Sequence, residues 1–135
     1  MRADKVSVLS ADIDVETATD ISDRYVAMWN EPNAGTRRAA IAKLWAPDGA
    51  CLSKSLEARG YEALDERVRR AHERWVAGAG YRFYSTGDAN GHHNIVRFHW
   101  KMAAPGAVEA ESTGQDIFLL DGQGRIAVAY QFVDS

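Results

Sequence analysis

The chain has 135 residues, 46% hydrophobic and 26% charged, with a formal net charge of −3. That is the size and composition of one globular domain able to bury a core without staples. There is no basic stripe of the kind a nucleic-acid binder needs, and no run near the roughly 20 apolar residues of a membrane-spanning helix.

The start, "MRADKVSVLSADIDVE", has an apolar run too short for a signal peptide. A cytoplasmic, single-domain protein spanning 1–135 is expected, with 1–12 as a loose extension. Ala18, Ile21, Tyr25, Met28 and Trp29 then recur at the i, i+3, i+4 spacing of a helical apolar face. Asp14 or Thr17 is its expected cap, and "NEPNAG" ends it. A second helix fits "TRRAAIAKLWA", with Thr36 as N-cap and "PDG" as breaker. A brief strand is expected at 50–53. It holds the single cysteine, Cys51, which in "GACLS" reads as a small buried hydrophobe. The third helix, between Gly60 and Gly78, carries the stripe Tyr61, Leu64, Val68, Ala71 and Trp75. Arg67, Arg69 and Arg70 interleave with Asp65, Glu66 and Glu73 and read as a solvated face of i,i+4 pairs.

After Gly80 the period changes to two. Strands are expected at "YRFYS", at "HNIVRFHWKM", along "AVEAESTGQDIFLL" with a bulge at Gly114, and at "RIAVAYQFV". No crossover helices separate them, so the expected fold is α+β, with a curved antiparallel sheet wrapped around three N-terminal helices.

"GHHNIVRFHW" holds three of the four histidines. Alternation splits the stretch into two faces: His92, Asn94, Val96, Phe98 and Trp100 on one, and His93, Ile95, Arg97, His99 and Lys101 on the other. On the second face Ile95 and the cationic Arg97 lie between His93 and His99, and no Cys, Asp or Glu is near in sequence. A metal site is therefore not expected.

"RYVAMWNE", "LWAPDG", "GYEAL" and "GQDIFLLDGQGRI" together resemble the nuclear transport factor 2-like superfamily, most closely its SnoaL-like branch. The resemblance covers Ile21 to Val133. It implies a cone with an internal cavity for a small, mostly apolar ligand, in a homodimer formed through the outer sheet face. It does not choose a function, because the superfamily holds isomerases, cyclases, hydrolases, dehydratases and binding domains.

In the ketosteroid isomerase pattern, the oxyanion-hole tyrosine falls on Tyr25 and the protonated aspartic acid on Asp116. The base position falls on Ser53, which cannot take a proton near neutral pH without a base of its own. In the epoxide-hydrolase pattern, the arginine falls on Arg97, but the two carboxylate positions become His99 and Gln131. The cyclase pattern needs one aspartate, which Asp116 can supply. The resemblance thus implies Asp116, Tyr25 and Arg97 as catalytic residues, and Trp29, His93, His99, Phe118 and Gln131 as ligand contacts. The expected chemistry is acid/base and free of any cofactor, and a non-catalytic binding domain is the alternative.

Two orientations of 92–101 stay open. The hydrolase comparison turns Arg97 and His93 inward, toward an ion pair with Asp116. The greasier Val96, Phe98 and Trp100 face argues the reverse. The working expectation takes Arg97 inward, leaving Trp45, Trp75 and Trp100 as packing. Tyr130 and Phe132, facing outward, suggest the dimer surface.

Overall fold

The computed structural model describes residues 13–134. The N-terminal extension expected at 1–12 lies outside them. Helix α1 (Val15–Asn30) is capped by Asp14, whose side chain accepts from the Thr17 N–H at 2.7 Å. Its buried face is Ala18, Ile21, Ser22, Tyr25, Met28 and Trp29. Helix α2 (Ala34–Leu44) starts earlier than expected, because Asn33 and not Thr36 is the cap: its side chain accepts from the Thr36 N–H. Just beyond α1, buried Arg37 donates to the Glu31 carbonyl.

Strand β1 (Trp45–Leu52) follows at once: the helix ends at Leu44, two residues short of the expected end, and the strand runs through the "PDG" expected to break the helix. A register shift between Trp45 and Ala50 absorbs the proline. Gly49 is needed there, since a Cβ would meet the Trp45 ring at 2.6 Å and the Ile126 carbonyl at 2.9 Å. A short β2 (Glu57–Arg59) pairs back on β1, leading to α3 (Gly60–Ala71) and a π-helical turn (His72–Ala77). Strands β3 (Arg82–Ser85), β4 (Asn90–His92), β5 (Ile95–Ala103), β6 (Ser112–Leu120) and β7 (Ile126–Val133) complete the chain.

The architecture is α+β, three helices against a curved, unclosed sheet in the order β2-β1-β7-β6-β5-β3, with β4 on β5. One pairing departs from the antiparallel expectation: β1 lies parallel to β7. Parallel neighbours need a long crossover, and everything between β1 and β7 supplies it. Gly114 sits in unbroken register with Trp100 and Val133, so the bulge expected there is absent; the irregularity falls at Leu119/Leu120.

Alternation sends Val96, Phe98, Phe118 and Ala129 into the core, where all four have no exposed surface. Val96, Phe98 and Phe118 each contribute on the order of 2 kcal/mol by leaving water, and the Ala129 methyl less. The opposite face keeps Tyr130 and Phe132 exposed, at 38% and 52%.

Candidate functional site

Tyr25 lies midway along the buried face of α1, its ring among Trp29, Trp45, Phe98 and Phe118. The Phe118 contact, with centroids 4.6 Å apart, sets the tilt of the ring. The phenol then points at the sheet and donates to Asp116 Oδ2 at 2.5 Å.

Asp116 stands mid-strand on β6, paired in register with Phe98 of β5 and Gln131 of β7. Cross-strand partners share a face, so three adjacent strands aim Phe98, Asp116 and Gln131 the same way. Trp100, one inward step along β5, donates its indole Nε1 to Asp116 Oδ1 at 2.9 Å. Gly114 opposite makes room for it: a Cβ there would meet the indole at 2.3 Å. Gln131 Nε2 donates to the Tyr25 oxygen at 3.1 Å and to Asp116 Oδ2 at 3.3 Å. Arg67 Nη2 donates to Gln131 Oε1 at 2.9 Å. A guanidinium can only donate, so it fixes which end of the amide is oxygen and turns the NH₂ toward the carboxylate.

Asp116 is fully buried, and its carboxyl is pushed up to about 6, chiefly by burial. The donors Tyr25, Trp100 and Gln131 pull the other way, as does the charge of Arg67. Burial also raises Tyr25 well above its ordinary value, with the negative charge of Asp116 adding to it, so the phenol stays protonated. Burial pushes the Cys51 thiol up to about 12, and Cys51 is therefore no nucleophile at neutral pH.

These groups end at a cavity of about 510 Å³, within the range of small-molecule sites. Its walls are mostly apolar and rich in aromatic rings: Tyr25 and Trp29 from α1, Trp75 from the π-helical turn, Phe83 from β3, and Phe98 and Trp100 from β5. Asp116, Gln131 and Arg67 supply polar contacts inside, and exposed Glu111 stands at the rim. The π-helical turn is anchored by His72 Nδ1, 3.0 Å from the Trp29 carbonyl. Such turns recur at functional sites because they re-aim side chains.

The structure therefore brings together Tyr25, Trp29, Asp116 and Gln131 from the sequence candidates. Phe118 lies against the Tyr25 ring but does not line the cavity. Arg97, His93 and His99 do not reach it. Arg97 is exposed on the outer face opposite Ile117, because the apolar set Val96, Phe98 and Trp100 takes the inner one. The expected Arg97–Asp116 ion pair is thus replaced by neutral donors. His92 and His93 end the β4 arm of a hairpin; His93 occupies the turn with φ 51° and is exposed. His99 ties β5 to the 86–88 loop instead, with its Nδ1 2.5 Å from Asp88 Oδ2. Ser53 lies past the end of β1, where its Oγ accepts from the Leu56 N–H. Among the described residues no cluster of three His, Cys, Asp or Glu could hold a metal ion, and no helix is long and apolar enough to cross a membrane.

Sequence reading missed Arg67 as a site residue, and took Trp75 and Trp100 for packing only. Arg67 falls three residues after Leu64 and four before Ala71, at the edge of the apolar stripe of α3, which was the available signal.

No family model and no curated protein matches the chain. Solved structures do. A candidate isomerase of the SnoaL-like family from Agrobacterium tumefaciens superposes with a TM-score of 0.80 at 27% identity, over 89% of this chain and 99% of that one. A SnoaL-like protein from Burkholderia thailandensis gives 0.70 at 18%, over 91% and 99%. A candidate polyketide cyclase from Sinorhizobium meliloti gives 0.63 at 17%, over 83% and 93%. The chain has the SnoaL-like, nuclear transport factor 2-like fold. Within this SnoaL-like cone, α1 and the sheet bring Tyr25 and Asp116 into contact from residues 91 positions apart.

The Asp116 environment has a signature in stability. Its carboxyl binds a proton more tightly folded than unfolded, so folding is favoured at low pH and that advantage is lost as pH rises from about 4 through about 6. The shift from 3.8 to about 6 corresponds to on the order of 3 kcal/mol. Urea unfolding of wild type and Asp116→Asn across pH 4–8 isolates it from the other acids. The wild type is expected to lose stability relative to the variant over that window and then run parallel to it; a constant difference contradicts the shift.

Proposed function

We propose that the protein binds a small, flat, mostly apolar carbonyl compound in the cone and moves a proton on it with Asp116, without a cofactor. The observation that carries this reading is a buried carboxyl, raised to about 6, at an aromatic cavity and held by three neutral donors. A base with a pKa just below neutral is ionised at working pH and still strong enough to take a proton.

Asp116 Oδ2 abstracts the proton from the carbon beside the ligand carbonyl. The electron pair shifts onto the carbonyl oxygen as an enolate, and Oδ2 later returns the proton to a different atom. The 3.3 Å contact from Gln131 is the longest of the three bonds to the carboxylate and the easiest for a ligand to displace. Tyr25 remains as a donor that steadies the carboxylate. The neighbours described as a candidate isomerase and a candidate polyketide cyclase support acid/base chemistry of this kind.

A specific observation favours a second reading, a non-catalytic binding domain: Asp116 has no exposed surface and both of its oxygens are already bonded. Deuterium exchange from D₂O, followed by NMR on fused-ring ketones, separates the two. Asp116→Asn is expected to slow exchange by about 10²–10⁴-fold, with ligand binding, read from quenching of the cavity tryptophans, largely kept. Wild-type exchange should climb as pH passes about 6 and then level, since the ionised form is the base. Binding with no exchange by the wild type leaves the second reading standing.

The reading includes a homodimer through the outer sheet face, supported by exposed Tyr130 and Phe132. Light scattering on a sizing column is expected to give twice the chain mass for the wild type and the chain mass for Phe132→Glu. A wild-type monomer at micromolar concentration removes the dimer.

A further inference from the structure

Three arginines lie close together on α3, and they are not equivalent. Arg69 bridges Glu66 and Glu73, and Arg70 bridges Glu66. Arg67 turns the other way, toward the cavity, and among the described residues no acid lies within ion-pair distance of it. Its partners are neutral: the Gln131 carbonyl at 2.9 Å and the face of the Trp29 ring at 5.6 Å from Cζ. Asp116 does not serve as its counterion in contact, because the Gln131 amide stands between them. Glu111, the acid at the rim, acts electrostatically on Tyr81, raising its hydroxyl above the ordinary value. A half-buried guanidinium beside an apolar cavity, with hydrogen-bonding capacity to spare, is a receptor for an anion.

We propose that the cavity selects an anionic ligand, a flat apolar molecule bearing one carboxylate, and that Arg67 is the residue that grips it. The planar fork of a guanidinium matches a carboxylate in two parallel hydrogen bonds, and the aromatic walls take the rest of the ligand. Only one amide and two hydrogen bonds, of 2.9 and 3.3 Å, separate Arg67 from Asp116. The carboxylate of the ligand therefore lies within about one aromatic ring of the atom that exchanges its proton. This rests on the cone being the ligand site, and names the class of molecule it takes.

The test uses the full chain and a matched pair of probes, naphthalene carboxylate and naphthalene carboxamide, which share shape and differ in charge. Calorimetric titration of the wild type is expected to favour the carboxylate by roughly tenfold or more, the size of a charge-assisted bond. Arg67→Met is expected to erase that preference while the carboxamide still binds. Arg67→Lys keeps the charge without the fork and is expected to retain part of it, which guards against a Met variant that does not fold. Equal binding of both probes by the wild type, or a preference that survives Arg67→Met, overturns the anion reading and leaves the cavity as a neutral-ligand site. Binding of neither probe at millimolar concentration overturns the cavity reading and this one together.

Discussion

A carboxylate taken out of water must find donors for its oxygens or hold on to its proton. Asp116 does part of each. Three uncharged donors reach it from three elements: Tyr25 from α1, Trp100 from β5 and Gln131 from β7. None is a cation, so burial still dominates and the carboxyl stays near 6. A direct arginine partner would have pulled it far lower and left a structural ion pair. The insertion of Gln131 between Arg67 and Asp116 keeps the acid titratable near neutral pH.

The rest of the fold can be understood from that requirement. The sheet must curve so that β5, β6 and β7 present their inner faces to one point, and α1 must cross it closely enough for a phenol to touch β6. The aromatic contacts around Tyr25 hold the helix at that distance. Gly114 removes the side chain that would push the Trp100 indole away from Asp116. The cavity left above is walled by aromatic rings, and its polar groups are few and ordered in one chain from Arg67 to Gln131 to Asp116 to Tyr25.

The sequence made much of this legible. Helical periodicity found the buried face of α1, Tyr25 and Trp29 included, because a 3.6-residue repeat leaves little choice of which side packs. Alternation correctly set Asp116 on the face of Phe118 and Gln131 on the face of Ala129. It could not say which face of β5 looks inward, since alternation fixes the members of a set and not its direction. There the apolar character of Val96, Phe98 and Trp100 was the better guide than a family comparison resting on Arg97. The parallel β1–β7 pair left no local trace, as its partners lie far apart in the chain. Arg67 was hidden by its neighbours: Arg69 and Arg70 do pair with acids along the helix, and the third arginine looked like more of the same.

The central claim is that a buried, donor-held carboxyl at the cavity titrates near neutral pH. Carbon-13 NMR of the side-chain carboxyl of Asp116, assigned by its loss in Asp116→Asn, tests it most directly. A single titration centred at about 6 is the expected result. A midpoint at the ordinary 3.8 contradicts it, and with it the proposal that this residue is the acid/base of the site.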